Sequence, residues 1–328
     1  MAVADIMVKS TGAYLPEKIL TNKDLEKIVD TSDEWIRTRT GISTRRIAAD
    51  SEATSDLAYR AGELALKNGG IGPEELDLIV VATITPDMFF PSTACVVQDR
   101  LKAKNAVAMD VNAACSGYIY SLVVGSTFLR TETYKNALII GAEKLTSITD
   151  WSDRNTCVLF GDGAGAALLM PSDGRGKLLA FDLGSDGSYG DMLYIPGGGS
   201  RNPATEKTVS DRLHYIKMNG NPLFKIAVNK MKETFKRSLK KAGLKPEDIS
   251  VLITHQANMR IIDSLRSFLK VPKEKVFVNI EKYGNTSAAS IAIAFHEACE
   301  KGVIKRGDIV GLAAFGGGLT WGSAIIEY

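Results

Sequence analysis

The sequence predicts an α/β protein built from two copies of one unit, because three pairs of segments recur in the same order about half a chain apart. Each pair has a shared character: a proline turn before an apolar strand, a strand followed by a turn and a helix, or a buried strand after a helix. The pairs are 72–87 with 244–258, 107–126 with 276–299, and 137–143 with 308–315. We expect matching elements to face each other across a pseudo-twofold axis.

The boundary between the copies is predicted near Ser172–Gly176, where the sequence PSDGRG is rich in turn-forming residues. The two halves are therefore residues 1–173 and 174–328. In open α/β sheets, ligands gather at the carboxyl ends of strands, so residues that end corresponding strands should converge on one site.

Composition is that of an ordinary globular protein, with 45% hydrophobic and 24% charged residues among 328. A formal net charge of +2 argues against a nucleic-acid-binding protein that relies on bulk charge. The four cysteines are far apart and form no C-x-x-C pair, so we expect no metal site, no disulfide framework and a cytoplasmic location. We also expect no signal peptide and no membrane span.

The N-terminal elements follow from hydrophobic periodicity and helix caps. They are a strand over residues 3–9 that ends at a Ser10–Gly12 turn, a short helix over Asn22–Val29 capped by Thr21, and a helix over Thr54–Asn68 that ends at Gly69-Gly70. Between the helices, residues 31–46 place Trp35 among four arginines. Such a tryptophan can stack on a nucleobase beside bound phosphates, but a solvated basic helix face describes the stretch equally well.

Cys115 follows a predicted strand, Val107–Val111, and a turn of small residues, at the point where an apolar helix begins. A thiol at a helix N-terminus faces unpaired N–H groups and the positive end of the helix dipole, which favour the nucleophilic thiolate. A covalent acyl-enzyme could therefore form there. Taken alone, the pattern favours a small buried residue in a tight turn, since free cysteine is among the most buried residue types.

The duplication pairs the strand ends that carry Ala82 and Cys115 with those that carry His255 and Asn285. His255 ends an apolar strand, and the polar residues after it are not typical of a core. We therefore expect His255, with Asn285, to converge on Cys115. Of the other histidines, His296 lies in an apolar helix and indicates packing, whereas His214 lies in a polar stretch and indicates surface.

Two glycine-rich segments need separate interpretations. Phe160 and the following GDGAGA fit the spacing of a dinucleotide loop, but no long helix follows, so we predict two strands, the first over Cys157–Phe160, joined by a glycine turn. The segment over 314–326 predicts a glycine turn between apolar strands. Its N–H groups could point at an oxyanion, although a plain hairpin turn is equally compatible.

The helix predicted over Pro222–Ala242 carries seven basic residues against one acid, Glu233. A solvated surface explains this composition, and so does a docking patch for an acidic protein.

Five motifs together resemble β-ketoacyl-acyl-carrier-protein synthase III, the initiating condensing enzyme of bacterial fatty-acid synthesis. They are VNAACSGYIY, GDGAGA, THQAN, YGNTSAAS and FGGGLTWGSA, and the resemblance covers nearly the whole chain. It implies the thiolase fold, a five-layer αβαβα sandwich of two duplicated halves with mixed sheets, and usually a homodimer. Asn285, where elongating synthases have a second histidine, is typical of this family.

The resemblance also implies roles for individual residues. These are a catalytic triad of Cys115, His255 and Asn285; an oxyanion hole from the amides of Cys115 and Gly317; coenzyme A contacts at Thr31, Trp35, Arg39, Arg154 and Asn258; an acyl pocket with Phe160, Leu319 and the partner subunit's Phe90; and carrier-protein docking at Lys225 and Arg260. Some relatives have phenylalanine at the position of Leu319, so the acyl preference stays open.

The implied reaction is ping-pong transfer of an acyl group, expected to be acetyl, from acyl-CoA to Cys115. A decarboxylative Claisen condensation with malonyl-acyl-carrier protein then follows, without metal or redox cofactor. A polyketide-type synthase and a hydroxymethylglutaryl-CoA synthase of the same fold are the enzyme alternatives. A non-catalytic acyl-CoA-binding scaffold is the alternative from another class, and a dehydrogenase is the remotest one.

Overall fold

Thirteen strands and eleven α-helices alternate along residues 5–328, the part of the chain that the computed structural model describes, apart from the side chain at position 221. The strands are β1 (Ile6–Tyr14), β2 (Lys18–Thr21), β3 (Thr44–Ile47), β4 (Leu78–Ala82), β5 (Val107–Val111), β6 (Ala137–Lys144), β7 (Asp162–Pro171), β8 (Lys177–Ser185), β9 (Leu193–Tyr194), β10 (Lys217–Met218), β11 (Val251–Thr254), β12 (Ile309–Gly316) and β13 (Thr320–Glu327). The helices are α1 (Asn22–Leu25), α2 (Asp33–Thr40), α3 (Thr54–Gly69), α4 (Thr93–Leu101), α5 (Gly117–Leu129), α6 (Arg154–Cys157), α7 (Glu206–Ser210), α8 (Gly220–Ala242), α9 (Met259–Leu269), α10 (Ile280–Tyr283) and α11 (Ala289–Glu300).

Two mixed sheets repeat one strand order. The first runs β1-β7-β6-β4-β5, and the second runs β8-β13-β12-β11. In each, a parallel pair, β4 with β6 or β11 with β12, is followed by two antiparallel pairs, and the first sheet has a second parallel pair, β4 with β5. The same order thus occurs on both sides of the Ser172–Gly176 turn, while the boundary of the two halves at that turn stays a prediction.

Helices cover both faces of each sheet and produce five layers. α5 and α11 lie between the sheets, α3 and α4 cover the outer face of the first sheet, and α8 with α9 covers the outer face of the second. The central helices are apolar or small on nearly every side, as a helix buried between two sheets requires. This is the αβαβα sandwich that the family resemblance implies.

The two proline turns form as predicted. Pro73–Glu75 and Pro246–Asp248 are single 3₁₀ turns, and β4 and β11 follow them. In both, the last acidic side chain accepts a hydrogen bond of 2.8 Å from the backbone N–H three residues earlier, which fixes the chain's entry into the strand.

The first strand does not end where the sequence predicted. Residues 3 and 4 lie outside the described residues, but β1 continues through Ser10–Gly12 to Tyr14 and pairs with β7 along this length. Gly12 faces α3, where a Cβ atom would lie 2.3 Å from the carbonyl oxygen of Ala61. The glycine therefore permits close packing of a helix on the strand and does not form a turn. The helix at Asn22 begins behind Thr21 as predicted but ends at Leu25.

The GDGAGA segment is also not a turn between strands. Cys157 ends the short helix α6, and the last residues of the motif run inside the single strand β7. Gly165 in this strand faces α11, where a Cβ atom would lie 2.6 Å from Ala292 and from the nitrogen of Ile293. These glycines again allow helix and sheet to approach each other.

The predicted strand over Val276–Ile280 forms only one bridge, between Val276 and Leu252. The backbone N–H groups of Asn279 and Ile280 instead donate to the Gln256 side chain, at 3.1 and 3.2 Å, and α10 begins there. In the second copy, hydrogen bonds to the buried Gln256 side chain thus take the place of strand-to-strand hydrogen bonds.

None of the helices in residues 5–328 is both long and apolar enough to cross a membrane.

Candidate active site

One cavity of about 1230 Å³ lies between the two halves of the chain and reaches the surface. Cys115, His255 and Asn285 line its inner part and are at most 8% exposed. His214 and His296 lie outside this cavity, as expected.

The turn before α5 positions Cys115. After β5 the backbone turns sharply at Ala114, whose φ of 46° is left-handed, and Cys115 lies in the 3₁₀ turn Ala114–Ser116 that opens into the helix. Gly117 allows this close approach, since a Cβ atom there would lie 2.9 Å from that of Ala82. A left-handed residue other than glycine directly before the thiol is a strained conformation of the kind found at functional sites.

The expectation of a favoured thiolate is wrong for the isolated protein. Burial raises the pKa of the Cys115 thiol to about 12, and the nearby carboxylate of Glu143 raises it further, while the Ser287 hydroxyl lowers it. Cys115 is therefore a thiol at neutral pH, and its reaction as a nucleophile requires a group that takes its proton.

His255 is held in one orientation by two hydrogen bonds. Its backbone N–H donates to the carbonyl of Ala313 at 2.8 Å, and its Nδ1 lies 2.7 Å from the hydroxyl oxygen of Ser290 in α11. Burial lowers the pKa of His255 to about 3, so the ring is neutral. Because Ser290 Oγ already accepts from the N–H of Gln256 at 3.3 Å, we assign its hydroxyl proton to the bond with Nδ1 and the ring proton to Nε2, which makes His255 a hydrogen-bond donor at its free end.

Asn285 is fixed by its backbone and by its amide oxygen. Its N–H donates to Leu159 at 2.9 Å, its carbonyl accepts from Gly161 at 3.0 Å, and its Oδ1 accepts from the backbone N–H of Ser287 at 2.8 Å. Because Oδ1 is occupied, the amide NH₂ is the group that Asn285 can offer to a ligand.

The hairpin between β12 and β13 packs against the Cys115 turn. A Cβ atom at Gly316 would lie 2.6 Å from the backbone nitrogen of Cys115, and the Thr320 hydroxyl donates to the carbonyl of Ala113 at 2.8 Å. Gly317, the next residue, lines the cavity. Both copies therefore contribute backbone to the surroundings of the thiol.

Comparisons with known proteins show the family to which the chain belongs. The models of the 3-oxoacyl-[acyl-carrier-protein] synthase III family match residues 109–187, and its C-terminal part matches residues 239–328. The β-ketoacyl-[acyl-carrier-protein] synthase III of Caldanaerobacter subterraneus is 56% identical over 321 residues, 98% of this chain and 97% of that one. The crystal structure of the Aquifex aeolicus enzyme is 52% identical, with a TM-score of 0.92 over 98% of this chain and 100% of that one.

The chain belongs to the β-ketoacyl-[acyl-carrier-protein] synthase III family. It is thus an acyltransferase with the thiolase fold, as the motifs predicted. A solved priming β-ketosynthase of the R1128 polyketide pathway is also similar, at 32% identity and a TM-score of 0.92 over 98% of this chain and 96% of that one.

Of the residues expected in the synthase acyl pocket, only Phe160 lines the cavity. Leu319 is fully buried in a cluster with Trp321 and Phe235, because its backbone pairs with that of Asp186 and turns the side chain away. Phe90 is 85% exposed on the loop before α4, outside the cavity. Its predicted role requires a second subunit.

Three of the five residues expected to bind coenzyme A line the cavity, and a fourth, Arg154, contacts one of the three. Trp35, Arg39 and Asn258 line it, and the Arg154 guanidinium lies over the Trp35 ring, 4.3 Å from its centroid. Asn258 caps α9 and donates to the Arg39 carbonyl at 3.0 Å. Thr31 lies before α2, with a buried hydroxyl that forms no hydrogen bond.

Lys225 and Arg260, the expected docking residues, are both exposed and both line the cavity. The Arg260 guanidinium lies 5.4 Å from the centroid of the Phe224 ring, which also lines the cavity. A basic rim with an apolar floor therefore surrounds the opening.

Sequence reasoning missed three polar groups near the thiol: Glu143, Ser287 and Ser290. Ser290 lies in the otherwise apolar first turns of α11, Glu143 follows six apolar or small residues of β6, and Ser287 lies in the polar turn just before α11. A polar residue inside an apolar run is the signal that could have found Ser290 and Glu143.

Proposed function

We propose that this protein starts fatty-acid synthesis by a ping-pong reaction: acyl transfer from an acyl-CoA, with acetyl-CoA the expected primer, to Cys115, then condensation with malonyl-acyl-carrier protein. The main support for this proposal is that one cavity contains a buried thiol, a neutral histidine donor and an asparagine amide. The same cavity is also lined by basic side chains and by a tryptophan that stacks with an arginine. Four free cysteines suit the reducing cytoplasm, where we place the enzyme.

In the first step, the sulfur of Cys115 attacks the thioester carbon and CoA leaves. The amides of Cys115 and Gly317 hold the oxyanion of the tetrahedral intermediate. Removal of one such donor lowers kcat by about 10²–10³. Trp35 stacks on one face of the adenine and Arg154 on the opposite face, with Arg39 and Thr31 nearby. Because the Arg154 guanidinium lies directly over the Trp35 ring, it must move away from the ring for the adenine to bind between the two side chains.

In the second step, the malonyl thioester loses CO₂ and enolate charge develops on its carbonyl oxygen. His255 Nε2–H and the Asn285 NH₂ donate to this oxygen and need no proton transfer to do so. The carbanion then attacks the acyl group on Cys115 and releases the β-ketoacyl product. Lys225 and Arg260 receive the acidic carrier protein, and no metal or redox group is required.

The test measures each half-reaction separately. After incubation with acetyl-CoA, mass spectrometry should show one acetyl group on Cys115, none in Cys115→Ala, and full labelling in the control Cys95→Ala, which removes an exposed thiol. His255→Ala should acylate but release little CO₂ from malonyl-acyl-carrier protein. Decarboxylation at the wild-type rate in that variant would contradict the role of His255.

A priming synthase of a polyketide pathway is the second candidate, since the solved R1128 enzyme is similar over nearly the whole chain. The extender and primer substrates that the protein accepts distinguish the two candidate functions. Condensation with malonyl-CoA alone, or a strong preference for long or branched primers in a panel of acyl-CoAs, would favour the polyketide enzyme.

A further inference from the structure

Glu143, at the end of β6, is a fully buried carboxyl group with no cation bonded to it in the described part of the chain. Its Oε2 accepts from the hydroxyls of Thr83 and Thr85, at 3.2 and 2.7 Å, and from the N–H of Ile84 at 3.2 Å. Its Oε1 forms no hydrogen bond. A buried carboxylate oxygen without a partner is costly, and such groups persist where function requires them.

The segment that carries Ser287 packs against the face of β6 to which Glu143 belongs. Gly141, two residues earlier, shares its face of β6 and contacts this segment so closely that a Cβ atom would lie 2.4 Å from the carbonyl of Ala288. The Ser287 hydroxyl is buried and has no hydrogen-bond partner within residues 5–328, and it lowers the pKa of both Glu143 and Cys115. Ser287 also lines the cavity with Cys115, so its buried hydroxyl lies in the same region as the thiol and the carboxyl group.

Within residues 5–328, the other ionisable groups near the thiol are not suited to accept its proton. His255 presents Nε2–H, because its Nδ1 accepts from Ser290, and a donor cannot take a proton. Lys144 is next to Glu143 in β6 but points to the opposite face, where its ammonium group donates to the carbonyl of Ala49 at 3.0 Å. Asp162, in the neighbouring strand, is occupied by Ala48 and Thr146.

We propose that Glu143 is a positioning residue that receives the proton of the Cys115 thiol through the Ser287 hydroxyl and returns it when the thiol is regenerated. This rests on the proposed function, since it concerns acylation of Cys115. Burial raises the pKa of Glu143 to about 7, which lets the group both accept and release a proton near neutral pH.

The two half-reactions balance. As the new C–S bond forms, the Cys115 proton passes to Ser287 Oγ, the Ser287 proton passes to Glu143 Oε1, and CoA leaves as a thiolate that takes a proton from water. In the condensation, a C–C bond forms, Cys115 leaves as a thiolate, and the proton on Glu143 returns through Ser287. One proton is taken from water per turnover, as loss of CO₂ from a malonate anion requires.

The experiment measures the rate at which acetyl-CoA acetylates Cys115, in quenched single turnovers between pH 6 and 9. It compares Glu143→Gln and Ser287→Ala with wild type. Asp162→Asn is the matched control, because it neutralises another buried carboxyl group that is bonded elsewhere. Thermal unfolding shows that each variant is folded, and Glu143→Asp tests rescue.

We expect the wild-type rate to rise with an apparent pKa near 7. Both relay variants should lose this rise and acylate on the order of a hundredfold more slowly at pH 7. Glu143→Asp should recover part of the rate, and Asp162→Asn should keep the wild-type profile. A folded Glu143→Gln with an unchanged pH profile overturns the relay. Absence of acetyl-Cys115 in the wild type overturns the proposed function instead.

Discussion

At the residue scale, His255 and Asn285 each have one polar partner that leaves the donating end of the side chain free. Ser290 holds Nδ1 of His255, and the Ser287 N–H holds Oδ1 of Asn285. The anchors decide which atom donates, so the site has its donors oriented before a substrate arrives. Such preorganised donors cost no reorganisation during the reaction.

The Ser290 anchor can be tested separately. In Ser290→Ala, His255 loses the partner that keeps its proton on Nε2, so CO₂ release from malonyl-acyl-carrier protein should fall on the order of tenfold, the effect of about one hydrogen bond. Acylation of Cys115 from acetyl-CoA should stay within about twofold of wild type on this reasoning. Ser121→Ala is the control, since that buried hydroxyl bonds nothing. An equal loss in both half-reactions would show that Ser290 only supports the fold.

Glu143 also predicts a pH dependence of stability. Its pKa is raised from 4.5 to about 7 in the folded state, so its favourable contribution is complete below the unfolded pKa and is lost as the pH rises through 7. Between pH 5 and pH 8, the free energy of unfolding of wild type should fall by roughly 2 to 3 kcal/mol more than that of Glu143→Gln. Urea unfolding of both proteins at the two pH values gives the difference. Equal pH slopes would mean that the carboxyl group is not protonated on folding.

At the element scale, the sequence predicts a helix, strand or turn correctly where its residue pattern fits only one structure. The prediction is wrong where the same pattern fits two structures. The proline turns before β4 and β11 and the paired apolar strands each have one solution, so they were predicted. Glycine has two uses, and GDGAGA and Gly12 were assigned to turns although they allow helices to approach strands. Which use applies depends on the helix packed opposite, and its position is not encoded nearby in the chain.

The same reasoning limits the prediction of the site. Cys115, His255 and Asn285 end matching elements and could be found from the duplication. Leu319 was misplaced because the residue after three glycines can point to either side of a hairpin, and its pairing with Asp186 decides the side. The spacing of motif residues in the sequence could not indicate that Ser290 bonds His255 or that the Ser287 N–H bonds Asn285.

Gly165 tests the packing role of glycine in β7. Gly165→Ala would place a Cβ atom 2.6 Å from α11, between two buried layers, and should lower the free energy of unfolding by about 2 kcal/mol or more. Gly199→Ala, where no atom lies within 4 Å of the added Cβ, should stay within about 0.5 kcal/mol of wild type. Urea unfolding measures both. A neutral Gly165→Ala would show that sheet and helix can separate at little cost.

At the scale of the whole molecule, the loop before α4 exposes three consecutive apolar side chains. Met88, Phe89 and Phe90 are 50%, 84% and 85% exposed. Exposed apolar patches of this kind mark interaction sites, and the family resemblance implies that Phe90 enters the acyl pocket of a partner subunit.

We therefore expect a dimer in solution by light scattering, with Phe90→Ala changing the relative acylation rates of short and long acyl-CoAs. Ile19→Ala, at another exposed apolar residue, is the control and should leave both the mass and the primer preference unchanged. A monomeric wild type that acylates normally would contradict the role of Phe90.

The repeated sheet order has a consequence for descent. Cys115 and Asn285 occupy the same turn of the two copies, and the chemistry needs a sulfur in one and an amide in the other. A symmetric pair of identical ancestral chains would carry the same residue in both turns. Two copies within one chain can differ in sequence, so the duplicated fold can carry the nucleophile on one side of the axis and the donor on the other while both turns still meet at one cavity.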